Sequence, residues 1–219
     1  MSSKNLIPKE RIEKAEYETE RNERIESMIP KLKKRLPILF WTAIISTIVG
    51  FFSDNSLGDT LPTQYSIGYV IQSICALAYG ISLLIISTES DFYKTAGILK
   101  ISSLLCSQIA SILTIFTVSW ILIILAIAVA ALALYGEYNE FKGHAKILEE
   151  TNPLLSDNWD KLRIGSVICY GALIASIIFA CVSSILGAFI AVVASIGILV
   201  VGILKLFYLY KTSATFKNL

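Results

Sequence analysis

Residues 164–204 read IGSVICYGALIASIIFACVSSILGAFIAVVASIGILVVGIL, forty-one positions without an Asp, Glu, Lys, Arg or His. A helix crosses the hydrocarbon core of a bilayer with about 20 apolar residues. The run is twice that length, so it predicts two spans folded back on each other, with the turn near Ser183–Gly187.

The rest of the chain follows the same pattern. Of 219 residues, 55% are hydrophobic and only 16% are charged, against about 25% charged in ordinary soluble domains. A second uncharged run, 101–136, joins the residues just before it to give two more spans. Their break is expected near Thr117–Ser119. The expected fold is all-α: a polytopic membrane bundle of six transmembrane helices in three hairpins. The spans fall at 37–53, 66–87, 97–116, 119–136, 164–184 and 187–208 of a domain covering 37–210. A charged, partly helical arm (1–36) precedes this domain, and a short tail (211–219) follows it. No apolar stretch with a small-residue cleavage site leads the chain, so the first span is expected to target it for insertion.

The arm carries same-face opposite charges, Glu10 with Lys14 and Glu20 with Arg24, a pattern that supports helices. Its apolar stripe, Ile12, Ala15, Ile25, Met28 and Ile29, is thin and broken. Pro30 is expected to kink or end the helix. Lys31, Lys33, Lys34 and Arg35 then meet the first span. They are the candidate contacts to anionic lipid headgroups, each contributing about 1 kcal/mol near such a surface. Asn152-Pro153 separates a surface helix at 138–150 from the fifth span, with Ser156 or Asp157 as the expected cap.

Charge sets the expected orientation. All 19 Lys and Arg fall in the arm, at 88–100, at 137–163 or from Lys205 onward. The segments 54–65, 117–119 and 184–187 hold none. Cytoplasmic loops carry the excess of Lys and Arg, so both termini are expected in the cytoplasm. Each hairpin returns to an aromatic–Lys pair followed by Ala: Tyr93-Lys94-Thr95-Ala96, Phe141-Lys142-Gly143-His144-Ala145 and Tyr210-Lys211-Thr212-Ser213-Ala214. Small residues at four-residue spacing, such as Gly171–Ala175, Ser103–Ser107–Ser111 and Gly187–Ala191–Ser195, predict close helix contacts.

Little in the chain carries chemistry. No Asp or Glu falls inside the six spans, whereas membrane enzymes and ion-coupled carriers keep ionisable groups at depth. Lys100 and Lys205, near inner ends, are expected to extend to the headgroups. His144, the single histidine, falls in a cytoplasmic connection, and the acidic residues of 137–163 read as a solvated face. The four cysteines are dispersed in apolar runs and read as small hydrophobes, not metal ligands. No nucleotide-binding glycine loop is present. No cofactor, metal or nucleic acid is expected.

The deepest strong polar groups are Gln72 and Gln108, about 9 Å and about 13 Å below the outer ends of their spans at 1.5 Å per residue. Their expected role is a bond between helices. The alternative is a small ligand pocket with Tyr65, Tyr69, Ser73 and Ser107, open to the outer side. The expected function is a non-enzymatic component of the cell membrane that assembles with itself or with partner proteins. The alternative is a transport component, a substrate-binding membrane subunit that relies on a separate ATPase.

Overall fold

The computed structural model describes residues 8–53, 67–113 and 119–219. Among these the protein is all-helical, with six α-helices and no strand. They are α1 (Pro8–Ser53), α2 (Ile67–Ile85), α3 (Asp91–Leu113), α4 (Ser119–Leu148), α5 (Pro153–Val182) and α6 (Ser184–Asn218). A single 3-10 turn, Ile86–Thr88, joins α2 to α3. The expected loop at 54–65 and the break at Thr117 lie outside the described residues.

Each helix packs on its neighbour in sequence, and α6 returns against α1, so the six close into a ring. The most extensive contacts are α5 with α6, α3 with α4, and α1 with α2. Among the described residues two helical segments, Gly68–Thr88 and Ser184–Asn218, are long and apolar enough to cross a membrane by length and composition.

The helices overrun the expected spans. Pro30 does not end the arm: α1 runs unbroken through both Pro30 and Pro37. An interior proline costs about 3 kcal/mol, but Met28, Leu32, Leu36 and Leu39 are buried in the core on either side of it. Packing of that one face holds the helix together. The arm's stripe divides accordingly. Ile25 and Ile29 pack against the core, whereas Ile12 and Ala15 are exposed. Arg24 pairs with the Glu150 carboxylate instead of Glu20, and Arg21 donates to the Glu150 carbonyl at 2.7 Å.

The α4–α5 junction is capped one residue before the proline. Asn152 Oδ1 accepts from the Leu155 N–H at 3.1 Å, with Pro153 in the first turn. Ser156 does not cap; it donates to the Ala145 carbonyl at 2.7 Å and ties α5 back to α4. Between α5 and α6 only Ser183 leaves the helical path, and its Oγ accepts from the Leu186 N–H. The tail is not a separate segment, because α6 continues to Asn218.

Close approach occurs where glycine meets a neighbour. A Cβ on Gly97 would stand 2.9 Å from the Gly80 carbonyl oxygen, and one on Gly197 would stand 2.6 Å from Cys169 Sγ. Gly171, expected at a contact, has nothing within 4 Å of that position. The four-residue spacing placed it on a helix face that turns outward.

Candidate functional site

The continuation of α4 past Gly136 carries the chemistry. It is not a surface helix: Asn139, Glu140, Phe141, His144, Ala145, Ile147 and Leu148 are all buried. Their spacing puts a face of α4 against α3, α5 and α6, and that face brings Glu140 and His144 inside with it. Both are 0% exposed. The expected solvated face keeps only its outer members. Glu149 and Asp157 remain exposed, in pairs with Lys146 and Lys161.

A buried carboxylate needs partners, since an unpaired charge in a low-dielectric interior costs several kcal/mol. Glu140 has four. Lys100 Nζ stands 2.8 Å from Oε2 and Lys205 Nζ 3.1 Å from Oε1. The Tyr79 hydroxyl donates to Oε1, and His144 Nε2 lies 3.9 Å away. Lys205 also reaches Glu137 Oε1 at 3.1 Å. The two lysines therefore do not extend outward as expected. A carboxylate offers them more than headgroups do, and the Tyr79 ring lies 5.3 Å and 5.5 Å from their ammoniums. The group as a whole holds two carboxylates and two ammoniums.

Burial alone would raise the Glu140 carboxyl pKa, but the Lys100 and Lys205 ammoniums outweigh it and hold the group well below the usual range. His144 responds the other way. Burial pushes its imidazole down to about 4, Glu140 pulls upward, and Lys205 and Lys100 push down again. The Tyr93 hydroxyl is raised, first by burial and then by Glu140, so it keeps its proton. It lies 2.9 Å from His144 Nδ1. The arrangement that fits places the neutral ring's proton on Nε2, facing Glu140, with Nδ1 accepting from Tyr93. Nε2 has no hydrogen-bond partner of its own.

The three aromatic–Lys segments converge here. Tyr93 bonds to His144, the His144 ring stacks on Trp159 at 4.5 Å, and Trp159 Nε1 donates to Thr212 Oγ1 at 3.0 Å. They are not equivalent, because Tyr93 and Phe141 are buried while Tyr210 is exposed and meets Phe40.

Lys100, Lys205 and Tyr79 also form one end of a cavity of about 480 Å³ inside the ring. Its wall comes from α1, α2, α3, α4 and α6. Tyr69, Gln72, Ser73, Ser107 and Gln108, the candidate ligand contacts, line it, joined by Thr42, Ser46, Thr47 and Ser103; Tyr65 lies outside the described residues. The expected Gln72–Gln108 pairing is replaced. Gln108 Nε2 donates to Ser73 Oγ at 3.2 Å, and Gln72, one position earlier on α2, is exposed. One helical step rotates a side chain by about 100°, which is enough to exchange partners.

Among the candidate headgroup contacts, Lys31 is already engaged, with Glu89 Oε1 at 2.9 Å and Thr88 Oγ1 at 3.1 Å. Lys33 and Lys34 are exposed and Arg35 is half-buried. Cys75, Cys106 and Cys169 are free thiols. Among the described residues no three His, Cys, Asp or Glu side chains come together as a metal site would require.

No protein-family model, no curated protein and no solved structure matches this chain.

The sequence reading missed Glu140, His144, Tyr79 and the inward course of both lysines. A signal was present: Glu140 and His144 stand four apart on one helix face, at the level where Lys100 and Lys205 end their spans.

Proposed function

We propose that this chain is a non-enzymatic, multi-pass protein of the cell membrane that binds a small polar solute inside its helix ring and acts as a transport component. In this reading six helices span the bilayer, with the span limits given above and both termini in the cytoplasm. The observation that carries it is the cavity of about 480 Å³ lined by hydroxyls, amides and two ammoniums. That size lies within the range of small-molecule sites, and its wall is mostly apolar with a few convergent polar groups, the usual make-up of such a site. The membrane assignment is supported by the large apolar side chains that face outward, among them Ile185 at 83% exposure, Phe189, Val192, Ile196, Leu199 and Ile203 on α6. Water would oppose such a surface; lipid would not. Glu140 lies just past the fourth span, and with Lys100 and Lys205 it gives the inner end of the ring a buried ionisable group that a transport component can use. Without a nucleotide site, energy would come from a separate ATPase or from a gradient.

A second reading, assembly with itself or a partner protein, is favoured by the first turns of α1. Residues 12–20 are exposed throughout and carry both charge signs around Ile12 and Tyr17. In either reading Lys33, Lys34 and Arg35 would meet anionic headgroups.

Native mass spectrometry after gentle extraction from the membrane tests the choice. A bound small molecule on the isolated chain supports solute binding. Recovery only in a fixed protein complex, with no small molecule, supports the second reading.

A further inference from the structure

The cavity's lining has a sign. Among the described residues its charged members are Lys100 and Lys205, and no carboxylate is among them. Glu140 is fully buried, and neither it nor Glu137 is part of the wall. A molecule inside therefore meets ammoniums first. An ammonium has three N–H donors. Lys205 faces both carboxylates, whereas Lys100 is paired with Glu140 alone among the described residues. Lys100 thus has N–H groups left for a ligand in the cavity, one helical turn from Ser103 and two from Ser107.

Charge balance adds a condition. Two ammoniums already balance two carboxylates, so an entering monoanion would leave one buried negative charge in excess. Such an excess costs several kcal/mol unless compensated. The group placed to compensate is His144, neutral, fully buried and 3.9 Å from Glu140 Oε1. The titratable or charged groups around it are Glu140 on its own helix, Tyr93 and Lys100 from α3, Tyr79 from α2 and Lys205 from α6; Glu137 lies behind Lys205. An anion on Lys100 would weaken the repulsion that the lysines exert on an imidazolium.

We infer that the cavity takes a small organic monoanion, its carboxylate seated on Lys100 with Lys205 and its polar remainder along Ser103, Ser107 and Gln108, and that one proton taken up by His144 accompanies it. The proton comes from solvent and adds at Nδ1. The Tyr93 hydroxyl then turns from donor to acceptor, and no bond to carbon changes. This inference rests on the solute-binding reading and names the solute's class.

The test is thermal unfolding of the full chain in detergent with added acetate, lactate or gluconate, each against its neutral counterpart, acetamide, lactamide or sorbitol. The expected result is stabilisation by a carboxylate and not by its counterpart. The affinity should rise by up to tenfold per pH unit between about pH 7.5 and about pH 5.5, as one linked proton requires. Lys100→Met should abolish the shift, and His144→Gln should bind with no pH dependence; circular dichroism checks that both variants fold. If a variant does not fold, the wild-type comparison of carboxylate with neutral counterpart decides. Equal stabilisation by the neutral compounds overturns the anion inference and leaves solute binding standing. A carboxylate shift that is flat with pH overturns the proton. No shift with any compound overturns the solute-binding reading itself.

Discussion

At the residue scale the consequential choice is a carboxylate on the inner face of α4. Glu140 is fully buried and holds both lysines, so removing it strands the Lys100 ammonium and leaves Lys205 with Glu137 alone. Breaking a buried pair costs about 3–5 kcal/mol. Glu140→Ala should lower the unfolding midpoint in detergent far more than Glu149→Ala, whose partner Lys146 is exposed. Equal effects would mean that the cluster is hydrated. His144 gives a pH dependence of definite sign. Its folded pKa of about 4 lies below the ordinary 6.5, so between these values the unfolded chain binds more protons. Stability should therefore fall as pH drops from about 6.5 through about 4, and it should be insensitive to this group above that window. Urea unfolding of the wild type and His144→Gln across that range should show a steeper loss for the wild type. Neither effect was legible in residue order, because a Glu or a His near a span end reads as solvated until a neighbouring helix covers it.

At the scale of elements, the small-residue spacing located packing only in part. On Gly97 an added Cβ would fall 2.8 Å from Leu84 Cγ and 2.9 Å from the Gly80 carbonyl. Backbone cannot yield there as a flexible side chain can, so Gly97→Ala should destabilise by about 1–3 kcal/mol. Gly171→Ala meets nothing within 4 Å and should be neutral or stabilising, by up to about 1 kcal/mol of helix propensity. A matched pair of thermal melts decides whether α2 and α3 are in contact at that glycine. The helix lengths were also under-read. Pro30 and Asn152-Pro153 carry the same local signal, yet α1 passes through the first while α4 ends before the second. The difference is not in the prolines. Leu32 and Leu36 are buried beyond Pro30, whereas Asn152 supplies a side-chain cap that starts a new helix.

At the scale of the whole molecule, the outward apolar face of α6 and the distribution of the 19 Lys and Arg predict a fixed orientation. Epitope tags at the two ends should both resist protease in right-side-out vesicles and both be cut in inverted ones; tags on opposite sides would break the six-span reading. If α6 spans the bilayer as proposed, a charge on its outward face, as in Ile196→Asp, should impair insertion by an apparent cost of about 3 kcal/mol. The sequence alone determined that the chain is helical and apolar, and where its polar side chains collect along it. Hydropathy and charge depend on composition within a window, and a window is local. Only the tertiary structure decided that Gln108 bonds Ser73 and not Gln72, that Lys100 and Lys205 turn inward to line a cavity, and that Glu140 and His144 are buried behind them. Each of those outcomes depends on which face of one helix meets another. That is fixed by rotation and register between segments far apart in the chain, which no window of sequence contains.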